Sequence, residues 1–336
     1  MVHLRIVTDP GRAEHVLELL VGSPSVCNVI HLDGAAQKPH GDVILADVAR
    51  EDASVIVSDL RELEVPVHGS IAIEHVDTQI SEAAERAVKQ AAGAPADAVV
   101  WEEVESRTSE GVELSASYLT FITLATLIAA VGIFLDSPIL IIGAMIVGPE
   151  FGPLAGLCVA IVQRRRELAV RSATALLAGF PFAIAVTIGV VAIFKATGIT
   201  PDDFSASEHD LSSLIATPDF FSVFVALCAG VAGMLSLTTA KSGALIGVLV
   251  SVTTIPAAAN VGVSAIYGGW SALDGSLLQL ILNLTSLVAA GTLTLLIQRL
   301  IYRRRRVRHL TDPARVEAGL PLGRSRHAGR RVTPVD

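Results

Sequence analysis

The chain has 336 residues, 51% of them apolar but only 4% aromatic, with a formal net charge of −8. Residues 1–117 hold 21 acidic and 8 basic side chains, and residues 118–336 hold 12 and 17, so an acidic head precedes a mildly basic, apolar half. An acidic head argues against nucleic acid as a partner, because phosphate contacts need Lys and Arg. The isolated Cys27, Cys158 and Cys228, with no Cys-x-x-Cys pair, give neither a disulfide framework nor a zinc knuckle.

The first 25 residues alternate charged and apolar side chains around no long apolar core. An ordinary secretory signal peptide is therefore not expected, and the head is expected on the cytoplasmic side. Val2–Val7 alternates and predicts a strand. Asp9-Pro10-Gly11 is a turn, and residues 11–21 read as a helix through Val16, Leu17, Leu19 and Leu20. Val26–Leu32 is a second strand, Gly34–Gly41 a loop and Asp42–Val48 a third strand. Glu51–Leu63 repeats apolar residues at helical spacing, and Val67–Val76 is a fourth strand. The order β-α-β-β-α-β predicts an α+β, ferredoxin-like cytoplasmic domain over residues 1–78, a fold that does not by itself fix function. His31 with Asp33, His68, and His75 with Asp77 fall at strand ends. They read as solvated residues, because no spacing matches a metal-ligand pattern; no metal and no cofactor is expected. Residues 79–117 form a helical linker, broken by Gly93-Ala94-Pro95-Ala96 and acidic beyond it.

A spanning helix needs about 20 apolar residues. Six segments qualify: 118–135, 138–163, 171–194, 220–239, 242–267 and 277–301. They predict an α-helical polytopic membrane domain over residues 118–306. Arg164, Arg165, Arg166 and Arg171 follow span two, Lys241 follows span four, and Arg303–Arg306 with Arg308 follow span six. Asp136, then Asp202, Asp203, Glu208, Asp210 and Asp219, then Asp274 fall on the other side. Basic loops stay inside, so both termini are expected to be cytoplasmic and the chain multi-pass in the cell (inner) membrane.

The two halves of this domain resemble each other. Leu124-Ala125-Thr126-Leu127 matches Leu227-Cys228-Ala229-Gly230, the run 140–145 matches 244–249, and Pro153 matches Pro256, all at an offset of 103 or 104 residues. Each unit holds three spans, an odd number, so the two would lie inverted. A 3+3 inverted repeat with helices two and five broken at matching places points to a transporter site between the repeats.

Gly148-Pro149-Glu150-Phe151-Gly152-Pro153 interrupts span two. Proline removes a backbone donor and clashes with the preceding turn. Irregular backbone inside a bilayer is tolerated only where protein buries it or it lines a cavity. A half-helix starting near Pro153 offers a positive dipole end to an anion, and the carbonyls near Val147 and Gly148 suit a cation. Glu150 is the ionisable residue nearest a span centre, a functional position by default; it would bind a cation, carry a proton, or simply cap the following half-helix. Thr253, Thr254, Ser251 and Asn260 supply polar groups at the matching depth of span five, around Pro256, and Asn283 and Thr285 do so in span six. The predicted substrate or ion site is Gly148, Pro149, Glu150, Gly152, Pro153, Thr253, Thr254, Pro256, Asn260 and Asn283. Gly143, Gly148, Gly152, Gly156, Gly230, Gly233, Gly243 and Gly247 suit close helix packing or contact between copies in a homo-oligomer. No catalytic residues are expected: there is no His-Glu-x-x-His, no paired Asp in the spans, and no base beside a serine.

The run Leu124-Ala125-Thr126, Ala129-Ala130, Gly132, Asp136-Ser137-Pro138, Ile142-Gly143-Ala144-Met145-Ile146, Pro149, Gly152-Pro153 resembles the signature of an uncharacterised family of hydrophobic membrane proteins from bacteria and archaea, catalogued as domain of unknown function 389. The resemblance covers about residues 115–300 and supports the membrane topology. The chain departs from it in carrying Glu150-Phe151 where many relatives have two apolar residues. Residues 307–336, rich in Pro, Gly and Arg, read as a basic disordered tail, and Arg303–Arg308 as a cluster for anionic lipid headgroups. The expected function is a secondary transporter of a small solute or ion with a cytoplasmic regulatory head. An oligomeric ion channel and a membrane-anchored ligand sensor or scaffold are the alternatives.

Overall fold

The structure is a computed structural model, and it describes residues 1–76, 78–91, 98–200, 204, 209–239, 253–267 and 269–323. Asp77, Asp202, Asp203, Glu208, Lys241, Gly243, Gly247, Ser251 and the repeat segment 244–249 lie outside the described residues. The chain divides into two units, Met1–Val104 with Gln298–Asp336, and Glu105–Ile297. The division at Val104 falls within the segment 79–117.

The first unit opens with β1 (Val2–Thr8), α1 (Pro10–Gly22), β2 (Val26–Gln37), β3 (His40–Val48), α2 (Arg50–Glu62), α3 (Val65–His68), β4 (Ser70–His75), α4 (Glu82–Gln90) and the start of α5 (Trp101–Glu110). The sheet is antiparallel in the order β2-β3-β1-β4. Side chains alternate across a strand, so β1 buries Val2, Leu4, Ile6 and Thr8 against the helices. They meet Val16, Leu19 and Leu20 of α1 and Ile56 and Leu60 of α2 in one core. Two expectations change. Residues 33–37 belong to β2 rather than to a loop, because Gly34 takes a left-handed φ of 58° and a register irregularity between Leu32 and Ala36 keeps the strand paired. Residues 67–68 close α3 rather than opening β4; Pro66 in its first turn needs no N–H partner there.

The second unit holds α6 (Ala116–Phe134), α7 (Pro138–Val147), α8 (Phe151–Gln163), α9 (Arg166–Ala196), α10 (Asp210–Ala216), α11 (Phe220–Thr238), α12 (Thr254–Tyr267) and most of α13 (Trp270–His309). Among the described residues, α6, α9, α11 and α13 are each long and apolar enough to cross a membrane, and α7 with α8 is apolar enough only as a pair, bent by 51° at its break. Their outer faces carry Ile139, Leu177, Phe220 and Leu293 fully in the open, as lipid-facing helices do. Segment 242–267, expected as span five, is described only from Thr253, where α12 begins; four or five crossings are thus seen where six were expected. Each of Thr254 through Ser264 is buried, because α12 packs against α6, α7, α9 and α10. A helix apolar and enclosed on all sides belongs to a core.

The C-terminal segment differs most from expectation. Residues 307–323 are not disordered: α13 continues to His309 and α14 (Pro313–Glu317) packs on α1. The cause is charge. Asp59 and Glu62 of α2 are buried and need counter-charges. Arg306 supplies one, at 2.5 Å from Asp59 and 2.6 Å from Glu62. Arg315, itself fully buried, pairs with Asp59 and lies 3.0 Å from Glu62. His309 Nε2 completes the cluster 2.7 Å from Asp59 Oδ2. The basic run is therefore divided: Arg305 and Arg306 bond to residues of α2, while Arg303, Arg304 and Arg308 stay exposed.

Candidate functional site

The break in span two is local and follows from the residues. Gly148 leaves the helix with ψ 129° although its N–H still reaches Ala144 O at 3.1 Å. Pro149 has no N–H to continue the ladder. The Leu154 N–H donates to Glu150 O at 3.2 Å and starts α8, whose third residue is Pro153. Proline in a first turn costs no helical hydrogen bond. Gly152 lets the linker close on α8: a Cβ there would stand 2.6 Å from Gly111 O.

Glu150 holds the N-cap position of α8, yet its side chain makes no cap hydrogen bond. It reaches across to α12, where Thr254 Oγ1 donates to Glu150 Oε1 at 2.8 Å. The side chain is only 3% exposed, and Oε2 has no hydrogen-bond partner among the described residues. Gly148 and Ile255 crowd that oxygen, since a Cβ on Gly148 would fall on it and on Ile255 Cγ1. The carboxylate thus sits where two helices begin. Both N-termini carry partial positive charge, which favours a negative group at this buried position.

The neighbouring residue faces a different group. Thr253, whose carbonyl accepts the first hydrogen bond of α12 from Ala257 N at 3.2 Å, receives Asn283 Nδ2 at 3.1 Å and Gln279 Nε2 at 3.4 Å on its Oγ1. Gln279 Nε2 also donates to Asn283 Oδ1 at 3.2 Å. These three side chains form the polar side of a cavity of about 280 Å³. Leu214, Phe221 and Val225 form the apolar side, with Asp219 and Ser222 at the start of α11. Oγ1 of Thr253 accepts twice and carries a hydroxyl hydrogen that can donate, and Gln279 Oε1 is a buried acceptor without a partner among the described residues. The cavity so offers both polarities of hydrogen bond against an apolar wall, the usual chemistry of a small-molecule pocket.

The predicted site residues divide into three groups. Thr253 and Asn283 line the cavity, and Glu150 with Thr254 forms the buried pair one residue away; Glu150 does not line the cavity. Gly148, Pro149, Gly152, Pro153 and Pro256 shape the two helix starts. Asn260 is held elsewhere: it accepts from Ser212 Oγ at 2.8 Å and donates to Ser212 O at 3.2 Å and Ser276 Oγ at 2.8 Å. It fastens α10 to α12 and α13. Thr285 is exposed and satisfies itself on Ile281 O at 2.7 Å. Sequence reasoning passed over Gln279. Its position four residues before Asn283 puts both amides on one helix face, and a polar residue inside an apolar span is the signal that marks it. Tyr118 was also missed; its buried hydroxyl has no partner among the described residues.

Residues 145–289, which contain every group named in the cavity and at Glu150, match the family model described as Domain of unknown function (DUF389). An uncharacterized protein of Methanocaldococcus jannaschii is 30% identical over 191 residues, covering 57% of this chain and 56% of that protein. The chain thus spans about half the length of that relative. No solved structure matches the chain. The matched stretch, residues 145–289, is similar to domain of unknown function 389, the family that the Gly-Ala-Met-x-x-x-Pro-x-x-Gly-Pro run resembles.

Proposed function

We propose that this chain is a secondary transporter of a small solute or ion, multi-pass in the inner membrane with both termini cytoplasmic. The observation that carries the reading is Glu150: a carboxylate 3% exposed, held by one hydroxyl at the start of α12 and beside a cavity floored by Thr253, Gln279 and Asn283. A buried carboxylate with half its oxygens unpaired costs several kcal/mol, on the order of the penalty for any ion taken from water. Such a group is retained in a membrane domain for work on an ion, a proton or a substrate.

The repeat reading gains support from the two helix starts. Phe151 opens α8 and Thr254 opens α12, with Pro153 and Pro256 third in each helix. Both pairs are 103 residues apart, and the same offset sets Glu150 against Thr253. Two equivalent helix starts meeting at one buried pair is the arrangement by which inverted repeats build a site that opens to either side. In this reading the solute occupies the cavity, and Glu150 takes up and releases a proton or cation as α12 moves. The acidic head regulates the cycle from the cytoplasm, the exposed Arg303, Arg304 and Arg308 meet anionic headgroups, and the chain works as a homo-oligomer.

Purified protein in proteoliposomes tests this, with flux measured for a panel of ions and small neutral solutes under an imposed pH gradient. Transport coupled to the gradient is expected, and Glu150→Gln should abolish the coupling while the protein melts at or above its original temperature. A folded Glu150→Gln variant with unchanged, still pH-driven flux would remove the carboxylate from the mechanism.

A further inference from the structure

We propose that the head carries a site for a divalent transition-metal ion, formed by His31, Asp33 and Asp42 at the hairpin end of its sheet. The imidazole nitrogen and one oxygen from each carboxylate all lie within 4.8 Å of one another. Bonds of about 2.0–2.2 Å to a common ion place ligand atoms about 3–4.4 Å apart, so rotation of the two exposed side chains closes the set. His31 and Asp33 are open to solvent, which gives an ion its way in; Asp42 is buried, which fixes one ligand.

The fold builds this arrangement from three places in the chain. His31 pairs with Ile44 in the β2–β3 ladder, so it shares a sheet face with Asp42, and its Nε2 lies 2.9 Å from Asp42 Oδ2. The register irregularity after Leu32, with Gly34 in the left-handed region, turns Asp33 back to within hydrogen-bonding reach of the Asp42 carboxyl. The Gly34 N–H donates to Asp42 Oδ1 at 2.9 Å and orients the buried carboxylate. Two carboxylates within 4.8 Å of one another repel, and a cation between them relieves that repulsion. A second observation points to a ligand. Thr8 stands directly opposite Asp42 in the β1–β3 ladder, hence on the same face. Its Oγ1 is buried, with the residue 1% exposed, and it has no hydrogen-bond partner among the described residues. Water on the ion's open position would supply the partner which that hydroxyl lacks.

One nitrogen with two carboxylates suits Zn²⁺, Mn²⁺, Fe²⁺ or Co²⁺ rather than Ca²⁺ or Mg²⁺, which prefer oxygen alone. Three protein ligands leave a position for water, so the ion exchanges with the medium, as befits a head that reports on metal supply. The sequence reading weighed His31 with Asp33 and judged them solvated. The third ligand is nine residues further on, in the next strand, and no spacing rule links it to the other two. His68 and His75 do not join the group; His75 bonds to Arg50 instead, at 3.0 Å.

The inference is independent of transport and is tested without it. The full chain, purified in detergent and stripped with chelator, is titrated with Zn²⁺ by calorimetry and with Co²⁺ by its visible spectrum, with Mg²⁺ as the contrast. One equivalent of Zn²⁺ or Co²⁺ and no comparable Mg²⁺ binding is expected. His31→Ala and Asp33→Asn should each weaken it at least about tenfold, since even second-shell changes cost 10–100-fold. Both side chains are exposed, so the variants should keep the parent melting temperature when metal-free. His40→Ala, on the exposed hairpin tip, should bind as the parent does. No binding of either ion, or full binding by the double variant His31→Ala/Asp33→Asn, overturns the proposal.

Discussion

Replacing Arg315 by Met should unfasten the C-terminal segment from the head, and the structure sets the size of the effect. Arg315 is fully buried between Asp59, also fully buried, and Glu62. Removing one partner of a buried ion pair costs about 3–5 kcal/mol, because the other charge is left in a poor solvent. Here the loss is partly covered. Asp59 keeps Arg306 at 2.5 Å and His309 at 2.7 Å, and Glu62 keeps Arg306 at 2.6 Å. Two carboxylates then share one guanidinium, with the imidazole adding a hydrogen bond to Asp59, and methionine fills most of the volume, which places the cost near the lower bound, about 3 kcal/mol. At 1.4 kcal/mol per decade that is roughly a hundredfold in the opening equilibrium. Hydrogen exchange of the β1 and β3 amides in the full chain reads it directly. Adding Asp59→Leu to Arg315→Met should cost less than the sum of the two changes, with a coupling of about 0.5–3 kcal/mol. Exchange in β1 and β3 that is unaltered by Arg315→Met, or strictly additive energies, would mean that the buried pair does not hold the head together.

Burial holds the His309 imidazole below its ordinary pKa, with Arg306 adding to the effect and Asp312, Asp52 and Glu62 opposing it. Asp59 also faces it, at 2.7 Å. The unfolded chain then takes up a proton near its usual value of about 6.5 while the folded one resists, so stability is full above that pH and is lost as pH falls below it. His309→Gln should flatten that loss in a thermal-melt series. Gly230 of α11 meets α13 so closely that a Cβ would stand 2.8 Å from Leu287 O and 2.9 Å from Ala290 Cβ; Gly230→Val should destabilise the detergent-solubilised protein by about 1–3 kcal/mol, visible as a lower melting temperature. Asn260→Ala removes three hydrogen bonds among α10, α12 and α13 and should cost about 1–2 kcal/mol, with faster exchange confined to α10 if the fastening is local.

The head was legible because its strands alternate and its helices repeat at 3.6, two signals that survive in any single sequence. The Gly148-Pro149 break was legible for a stronger reason: proline acts on the backbone whatever surrounds it. What escaped was everything decided by partners distant along the chain. Arg306 looked like part of a headgroup-binding cluster and Arg315 like a residue of a disordered tail, since nothing in residues 303–323 announces the two buried carboxylates on α2 that recruit them. Val67 and His68 looked like the start of a strand, but Pro66 just before them has a fixed φ that serves a helical first turn. Asn260 and Thr253 had the same standing as polar residues in an apolar span; only the fold separates the one that fastens helices from the one that lines a cavity. Asp33 and Asp42 come together through a local irregularity in β2 that composition does not encode.

The enclosure of α12 has a consequence for how this chain can vary. A helix at a lipid boundary tolerates exchange among apolar residues on its outer side, so its permitted substitutions rise and fall every three to four positions. From Thr254 to Ser264 there is no outer side: Ala257, Ala258 and Ala259 are wholly enclosed, and a Cβ on Gly262 would press on Thr187 Cγ2 at 2.8 Å. A saturation library should therefore show α12 as an unbroken block of intolerance, most severe toward bulk, set between α9 and α13 where the rhythm of a lipid-facing surface is plain.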